Sequence, residues 1–286
     1  MSITSAIIIL NYNDGTNTKK LAESIKSYDT FTHIVLVDNC STDDSFLTMK
    51  SIADSKIDVI RTTANQGYAC GNNFGAWYAI EQYQPDYLFI ANPDIMITDD
   101  AVSGILNAMQ DYPEYGALSC IVNQGYNVWN LPGFLGVIES LFLIWFNLDK
   151  KAIKKRLLSS PHSIEKVGVI EGSFFCIRRS AFEQIKGFDN RTFLYVEENI
   201  LAKRLNNAGY AIGILTSARY DHYHSVSIKK EYRASKARAF HLFHDSMKLY
   251  NKEYLHTNSL QNILFDLCYG IAYLERIIYD LIKRIL

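Results

Sequence analysis

A single carboxylate at the end of an apolar segment is the residue of this sequence best suited to chemistry. Residues 88–90 (LFI) are followed by ANPD, which ends at Asp94. The run predicts a strand buried on both faces, and Pro93 ends its ladder because proline has no amide hydrogen. Asp94 would then lie past the carboxyl end of a central strand, where open α/β sheets bind ligands. There it could hold a divalent cation against a diphosphate, although an aspartate capping a helix from Asp99 fits the same pattern.

Two upstream segments repeat this order of strand and polar loop. Residues 6–10 (AIIIL) and residues 34–37 (IVLV) are apolar, and Asp38 directly follows the second run. Strand, polar loop and helix form the βα unit of a nucleotide-binding half-domain. Asp38 is suited to accept hydrogen bonds from a ribose hydroxyl or a base imide. The first loop contributes three further candidates: Asn11, Tyr12 and Asn13.

The loop after Asp38 also contains residues that favour the start of a helix. Ser41 or Thr42 is predicted to cap that helix, because serine and threonine are preferred at this position. Asp43 and Asp44 would then occupy its first turn, where the helix dipole favours negative charge. We therefore interpret these two aspartates as structural.

Three glycines at four-residue intervals mark a third polar loop. The segment NQGYACGNNFG, residues 65–75, predicts a helix beginning near Ala69 with its last two glycines on one face. Glycine there lets a ligand or backbone come close, at a cost of roughly 1 kcal/mol each inside a helix. No Gly-Lys-Ser/Thr follows, which excludes a Walker P-loop, and the spacing fits a Rossmann fingerprint poorly. The candidate contacts in this segment are Asn65, Gly67, Gly71 and Asn72.

The carboxyl half offers a second group of candidates. Residues 174–177 (FFCI) predict a strand preceded by Gly172, whose small size would let a ligand approach. Ser180 is predicted to cap a short helix that Gly187 ends. Further on, Glu197 and Glu198 lead into a helix that runs roughly to Asn207 and is closed by Gly209. Paired carboxylates there suit a helix amino terminus.

The ordered motifs resemble glycosyltransferase family 2. The set consists of ILNYN, VDNCSTDDS, NQGYACGNNFG, NPD and residues 171–210, so the likeness spans about residues 5–227. It is most similar to the rhamnosyltransferase-like branch that builds bacterial surface polysaccharides, including capsule and cell wall. The resemblance implies a GT-A fold, an α/β domain with a mostly parallel, Rossmann-like central sheet flanked by helices.

The resemblance also implies roles for individual residues. Asp94 stands in for the second acidic residue of the Asp-x-Asp metal motif, with Mn²⁺ or Mg²⁺ as cofactor. Glu198, rather than Glu197, corresponds to the base, although the family usually has Glu-Asp here and often an acidic residue where this chain has Ile200. His222 matches a histidine that can ligate the metal or contact the diphosphate, and His224 is a weaker candidate. The implied contacts to the nucleotide sugar are Asn11, Tyr12, Asn13, Asp38, Asn65, Gly67, Gly71, Asn72, Asn92, Asp94 and Gly172.

Composition limits the classes of protein to consider. With 286 residues and 48% hydrophobic content the chain can bury a sizeable core. A net charge of −1 provides no excess of basic residues of the kind that binds nucleic acids. Five scattered cysteines and the absence of a basic signal-type amino terminus suit a cytoplasmic protein.

We expect a GT-A catalytic domain over residues 1–228, with a nucleotide-binding half (1–100) and an acceptor half (101–228), followed by a helical extension at 229–286.

Two apolar segments lie outside these motifs. Residues 131–148 contain one charge, Glu139, and precede five Lys or Arg at 150–156. This pairing suits either the surface of an anionic membrane, at the inner face of the cell membrane, or a buried or dimer-forming helix. Near the carboxyl end, helical spacing predicts a stripe that packs on the catalytic domain or on a partner subunit, more than on a membrane. The stripe comprises Ile271, Leu274, Ile277, Ile278, Leu281, Ile282 and Ile285.

These features predict a metal-dependent glycosyltransferase that inverts the anomeric centre, with inversion taken from the resemblance. The donor would be dTDP-rhamnose or a UDP-sugar, and the acceptor a glycan or a polyprenyl-linked glycan. A sugar nucleotidyltransferase is one alternative, but it should show a glycine-rich basic loop after the first strand, where this chain has NYNDGTNTKK. A non-catalytic subunit that binds nucleotide sugars or glycans is the other alternative.

Overall fold

A mixed sheet of nine strands forms the centre of the protein in the computed structural model. The structure describes residues 3–143, 153, 155–157, 159–223 and 236–285, with side chains in the last range described for 239–279. The strands are β1 (Ser5–Asn11), β2 (His33–Asp38), β3 (Ile57–Arg61), β4 (Tyr87–Ala91), β5 (Ile95–Ile97), β6 (Tyr115–Val122), β7 (Val128–Trp129), β8 (Ile164–Val167), β9 (Val169–Ile170), β10 (Phe174–Arg178) and β11 (Ala211–His222).

The order of the strands places the predicted ligand loops along one edge of the sheet. The path runs β3-β2-β1-β4-β10-β6-β11-β5, with β8 paired to β11, while β7 and β9 form a separate pair. The first four strands are parallel neighbours, whereas β10 is antiparallel to both β4 and β6. The loops that follow β1, β2 and β4 therefore meet at the carboxyl ends of these strands, as predicted.

Helices cover both faces of this sheet. They are α1 (Gly15–Ile25), α2 (Ser45–Lys50), α3 (Tyr68–Tyr83), α4 (Asp99–Asp111), α5 (Phe134–Leu141), α6 (Arg179–Gln184), α7 (Glu197–Asn207), α8 (Lys236–Tyr254) and α9 (Ser259–Ile285). Ile7 and Ile9 contribute to a core with α1, α2 and α4, whereas Ala6 and Ile8 face α3 on the other side. Burial on both faces explains why β1 is a continuous apolar run.

The close glycines of α3 allow it to lie against the sheet. A Cβ atom on Gly71 would come within 2.5 Å of the Leu10 side chain, and one on Gly75 within 2.5 Å of Val37. These two glycines therefore serve the packing of the helix on β1 and β2. Their spacing was predicted to allow either a ligand or backbone to approach, and side chains of the sheet take that space.

Two predicted helix caps are wrong. The Ser41 hydroxyl accepts hydrogen bonds from Asn11 Nδ2 and from the Asn13 backbone N–H, and α2 begins only at Ser45. Thr42 likewise contacts Asn13 rather than capping the helix. Asp43 and Asp44 precede α2 instead of occupying its first turn. Ser180 lies inside α6, which follows Arg178 with no side-chain cap among the described residues. At Ser41 and Thr42, contacts with Asn11 and Asn13 override the local capping preference.

The carboxyl-terminal helices form a third core with α5. Phe265 and Ala272 of α9 are buried against this core, together with Val137 and Leu141 of α5. The predicted stripe lies elsewhere on the helix, since Ile271 is 59% exposed. Leu274, Ile277 and Ile278 are exposed as well. For these four residues the catalytic-domain alternative is therefore wrong, while packing on a partner subunit stays a prediction. Residues 281, 282 and 285 lie outside the described side chains.

Within the described ranges, the structure contains no helix with the length and apolar character needed to cross a membrane. The longest helix, α9, is amphipathic, because one face joins the third core and the other carries the exposed stripe.

Candidate active site

A carboxylate and an imidazole meet where β4, β5 and β11 come together. Asp94 lies between β4 and β5, and His222 ends β11. The antiparallel pairing of β5 with β11 sets His222 opposite Ile95, the residue after Asp94. His222 Nε2 lies 3.3 Å from Asp94 Oδ1, and the two side chains are 6% and 9% exposed. Two predicted metal ligands are thus brought together by the sheet.

The chemistry of this pair fits a divalent cation. A carboxylate oxygen and a neutral imidazole nitrogen are both ligands for Mn²⁺, and a separation of about 3 Å is what two neighbouring ligands at roughly 2.1 Å would have. Burial tends to lower the pKa of His222, but its hydrogen bond to Asp94 and the charges of Asp94 and Glu171 raise it overall. A cation and a proton would therefore compete for the same imidazole.

Glu171 is a third residue of this site, and the sequence analysis did not select it. Its Oε2 atom lies 3.9 Å from His222 Nδ1 and accepts a hydrogen bond of 3.1 Å from the Ser173 hydroxyl. Ser173 in turn shares a hydrogen bond of 2.7 Å with Tyr220, a buried residue of β11. The available signal was its position beside Gly172 at the start of β10.

The predicted base contacts the predicted sugar-binding glycine. Glu198 Oε1 accepts a hydrogen bond of 3.2 Å from the Gly172 backbone N–H. The Tyr68 hydroxyl donates a bond of 2.6 Å to the Gly172 carbonyl, which fixes this glycine from its other side. A Cβ atom on Gly172 would lie 2.6 Å from the Tyr68 hydroxyl oxygen, so the site has no room for a larger residue.

The electrostatic surroundings of Glu198 favour a proton acceptor. Burial raises its pKa, and the charge of Glu171 raises it further, while backbone hydrogen bonds oppose the shift. A carboxylate with a raised pKa is a better general base near neutral pH. Burial raises the pKa of Glu197 even more strongly, and the charge of Glu198 adds to this effect.

The turn that presents these glutamates is strained. Tyr195 and Val196 have φ angles of +73° and +72°, a region that residues with a side chain rarely adopt. Val196 is β-branched, which makes this conformation costlier. It directly precedes α7, so the helix begins at Glu197 with both glutamates in its first turn. Glu197 Oε1 is buried and has no hydrogen-bond partner within the described part of the chain.

The predicted nucleoside loop is held together by Asp38. This side chain is fully buried, and its oxygens accept hydrogen bonds from Asn11 Nδ2 at 3.0 Å and from the Ser41 N–H at 3.3 Å. Arg61 Nε lies 2.9 Å from Asp38 Oδ2 with its own side chain 43% exposed. Asp38 therefore organises the loop in this conformation. Contact with a nucleoside stays a prediction that requires Arg61 to move.

The glycine-rich loop is fixed by amides. Asn39 Nδ2 donates to Asn65 Oδ1 at 3.0 Å, and the same oxygen accepts the Gly67 N–H at 3.0 Å. Gly67 has a φ of +94°, and a Cβ atom there would collide with the Phe193 carbonyl. Asn65 and Gly67 thus shape the loop that leads into α3. Contact between this loop and a donor stays a prediction.

The remaining candidates differ in their accessibility. Asn72 is fully buried, with Nδ2 bonded to the Tyr68 carbonyl, so it supports α3 from inside. Tyr12, Asn13 and Asn92 are half-buried at the edge of the sheet. The Asn92 N–H donates to the Ser173 carbonyl at 2.8 Å, which joins the end of β4 to the start of β10. His224 lies outside the described residues, as do Lys229, Lys230 and Arg233.

The order of the strands, with acidic residues at their carboxyl ends, is typical of α/β proteins that bind nucleotide sugars. The model of the family "Glycosyl transferase family 2" matches residues 6–186. The match covers more than half of the chain, so the protein belongs to this family. It is a glycosyltransferase, as predicted.

Two relatives indicate which branch of the family this chain resembles. The chain is 27% identical over 242 residues to an N-acetylglucosaminyl-diphospho-decaprenol L-rhamnosyltransferase of Mycobacterium tuberculosis, covering 79% of this chain and 78% of that protein. It is 28% identical over 228 residues to the rhamnosyltransferase WbbL of Escherichia coli K12, covering 76% and 82%. These matches confirm the resemblance to a rhamnosyltransferase-like branch.

Solved structures show the fold. A crystal structure of GalNAc-T7 with UDP, GalNAc and Mn²⁺ matches with a TM-score of 0.62 at 13% identity, covering 98% of this chain and 57% of that chain. The mannosyltransferase PcManGT from Pyrobaculum calidifontis, in complex with GDP-Man and Mn²⁺, matches with a TM-score of 0.59 at 15% identity, covering 95% and 73%. The predicted GT-A fold is thus confirmed.

Proposed function

We propose that this protein is a metal-dependent, inverting glycosyltransferase. It would transfer L-rhamnose from dTDP-rhamnose, or a hexose from a UDP-sugar, to a polyprenyl-linked glycan during surface polysaccharide synthesis. Asp94 and His222 would hold Mn²⁺ or Mg²⁺, and Glu198 would take the proton of the acceptor hydroxyl. Asn11, Asn13 and Asp38 would lie against the nucleoside.

One observation carries this proposal. A line of contacts runs from Asp94 through His222 and Glu171 to the Gly172–Glu198 pair. Residues 171–172 therefore contact a candidate cation ligand, His222, on one side and the candidate base, Glu198, on the other. Transfer to a hydroxyl needs both, because negative charge develops on the leaving diphosphate while a proton leaves the acceptor.

Each end of this line has a distinct chemical task. A divalent cation bound by Asp94 and His222 would stabilise the charge on the departing nucleotide. Gly172 has no side chain, which lets Glu198 and the Tyr68 hydroxyl approach its backbone in the space that was predicted for the donor sugar. Glu198 would then accept the proton as the acceptor oxygen attacks the anomeric carbon from the face opposite the nucleotide. Inversion at the anomeric carbon is taken from the resemblance to the family.

The names of the relatives favour a particular donor and acceptor. The Mycobacterium tuberculosis relative is named for rhamnose transfer to a decaprenol-linked diphospho-sugar, and WbbL is also a rhamnosyltransferase. A lipid-linked acceptor would bring the enzyme to a membrane surface. We propose that the exposed Leu135 of α5 and the basic residues at 150–156 make that contact. Association as a homodimer through the exposed stripe of α9 is the competing proposal.

A donor screen tests the function. Purified protein would be incubated with dTDP-rhamnose, UDP-glucose, UDP-GlcNAc and GDP-mannose, with and without Mn²⁺, and nucleotide release would be measured. We expect release that depends on the cation and is fastest for one donor. NMR of the glycoside formed on a synthetic lipid-linked acceptor would report the configuration at the anomeric carbon.

The same screen distinguishes the alternatives. Formation of a nucleotide sugar from a nucleoside triphosphate and a sugar 1-phosphate would identify a nucleotidyltransferase. Donor binding without turnover, even with acceptor present, would point to a non-catalytic subunit. Retained anomeric configuration would contradict the role proposed for Glu198.

A further inference from the structure

Two histidines and an aspartate converge on α8, and none of them belongs to the candidate active site described above. His241, His244 and Asp245 each offer one ligand atom, and these atoms all lie within 4.8 Å of one another. Their spacing of three and four residues places them on one face of the helix. His241 and Asp245 are solvent-exposed, whereas the His244 side chain is 10% exposed. The cluster is open to solvent on one side.

Each histidine directs one ring nitrogen at the same carboxylate. His244 Nδ1 lies 3.2 Å from Asp245 Oδ1, and His241 Nε2 lies 3.8 Å from Asp245 Oδ2. Ligand atoms about 2.0–2.2 Å from a tetrahedral Zn²⁺ lie about 3.4 Å from each other. These two separations lie on either side of that value, and the three ligand atoms all lie within 4.8 Å of one another, so small side-chain adjustments would bring them to a common cation.

The other ring nitrogen of each histidine faces an oxygen of α9. His244 Nε2 lies 3.0 Å from Asp266 Oδ1, and His241 Nδ1 lies 3.5 Å from the Tyr269 hydroxyl. Histidines that bind metals use their second nitrogen in this way, which fixes the tautomer and the ring orientation. Lys248 Nζ, at 3.0 Å from Asp266 Oδ2, holds the supporting carboxylate in place.

The orientation of His244 suits a positive charge between it and Asp245. If Nε2 donates its hydrogen to Asp266, the lone pair of Nδ1 faces the Asp245 carboxylate at 3.2 Å. Two acceptors at that distance repel unless a proton or a metal ion lies between them. His241 Nε2 approaches the same carboxylate from the preceding turn at 3.8 Å, so a metal ion there would have a second imidazole within reach.

We infer that His241, His244 and Asp245 form a binding site for a divalent transition metal of the Zn²⁺ type. His241 Nε2, His244 Nδ1 and Asp245 supply three ligands, and the exposed side leaves a fourth position for water. The ring of His244 packs against Phe265 and Tyr269, so an ion here ties α8 to α9. The proposal is independent of the function proposed for the active site.

The test measures Zn²⁺ binding to the full-length protein. Because Asp94 and His222 could also bind the ion, the Asp94→Asn variant serves as the background. We expect isothermal titration to show about one tight equivalent of Zn²⁺, and Co²⁺ to give the visible absorption of a tetrahedral site. His241→Gln and Asp245→Asn, both at exposed positions, should each weaken binding at least tenfold. They should also abolish the rise in Tm that Zn²⁺ produces.

His162→Gln is the matched control, because this exposed histidine lies outside the helical extension, and it should leave binding unchanged. The proposal is overturned if the protein binds no Zn²⁺, or if His241→Gln and Asp245→Asn bind the ion as the background does. Equal losses in His162→Gln would also overturn it, since they would indicate unspecific binding to surface histidines.

Discussion

The Asp94 carboxylate and the His222 imidazole lie 3.3 Å apart, although they come from opposite halves of the chain. Three paired residues of β5 and β11 set this distance, with His222 opposite Ile95. The Tyr223 N–H also donates to the Asp94 carbonyl at 3.0 Å, which anchors the loop beyond the last pair. A short antiparallel ladder thus assembles the candidate cation ligands.

Replacing Asp94 with Asn should abolish turnover and cation-dependent donor binding. The change removes a ligand charge and with it several kcal/mol of leaving-group stabilisation. Donor release assayed with Mn²⁺ and titration of the donor with the variant measure the effect. Because the Asp94 side chain is only 9% exposed and pairs with His222, its thermal unfolding must be compared with the wild type.

Asp100→Asn is the control, since this exposed aspartate lies in the first turn of α4, outside the site. It should leave donor release within about twofold of the wild-type rate. If Asp94→Asn retains near-normal activity with Mn²⁺, the assignment of this residue to the cation is wrong.

Replacing Glu198 with Gln should lower kcat by about 100-fold or more and leave donor affinity nearly unchanged. A general base acts in the transition state, so its loss affects the rate and not ground-state binding. Glu197→Gln should be mild, because burial raises the pKa of Glu197 well above its usual range and so favours its neutral form. Glutamine resembles that neutral form. Small, equal effects of both variants would indicate that the pair only stabilises the start of α7.

Replacing Gly172 with Ala should reduce kcat by at least tenfold. The new Cβ atom would lie 2.6 Å from the Tyr68 hydroxyl and 3.2 Å from Glu198 Oε1, which displaces the base. Adding Tyr68→Phe removes the closest oxygen, so the double variant should recover part of the lost rate. A Gly172→Ala enzyme with wild-type kinetics would contradict this account of the site.

Replacing the basic residues that follow residues 131–148 should release the protein from anionic liposomes. The set to change to Gln is Lys150, Lys151, Lys154, Lys155 and Arg156. Each basic residue near an anionic surface contributes about 1 kcal/mol. Lys155 and Arg156 are exposed, as this role requires. Flotation of liposomes at low and high salt measures the association, which salt should weaken.

Lys20→Gln with Lys50→Gln is the control for the liposome experiment, because both lysines are exposed on α1 and α2. This variant should float with anionic liposomes as the wild type does. Wild-type protein that fails to associate at low salt would exclude membrane contact. It would favour a subunit interface for the apolar surface instead.

Replacing Asp189 with Asn should destabilise the fold near neutral pH. Burial alone would raise the pKa of this carboxylate, but hydrogen bonds from Arg191 and Tyr254 lower it to about 2. Because the folded-state pKa lies below the unfolded value, the stabilisation is present above about pH 4 and is lost as the pH falls towards 2. We expect about 2 kcal/mol at pH 7. Urea unfolding at pH 7 and pH 3 should show a smaller difference between variant and wild type at the lower pH.

The positions of Asp94 and Glu198 could be predicted because short stretches of the chain determine them. An apolar run followed by Pro93 places Asp94 after a strand wherever that strand lies in the sheet. Paired glutamates before a helical segment similarly fix the start of α7. The order of these motifs was also sufficient to predict the family, since each motif occupies a separate loop of the same sheet.

The contacts between these loops depended on the tertiary structure. Glu171 joins the site because β10 runs antiparallel beside β4, and its position beside Gly172 did not by itself distinguish it. Ser41 and Ser180 were assigned as caps from local preference. Long-range hydrogen bonds hold Ser41 instead, and α6 begins before Ser180.

The sequence by itself determined which strands are buried, which loops are polar and that α9 has an apolar stripe, because these features follow from the periodicity of neighbouring residues. Only the tertiary structure decided that Phe265 and Ala272, and not Ile271 and Leu274, face the core. It likewise decided that His222 reaches Asp94. Periodicity describes one element at a time, and the partner of each face is chosen when the elements pack together.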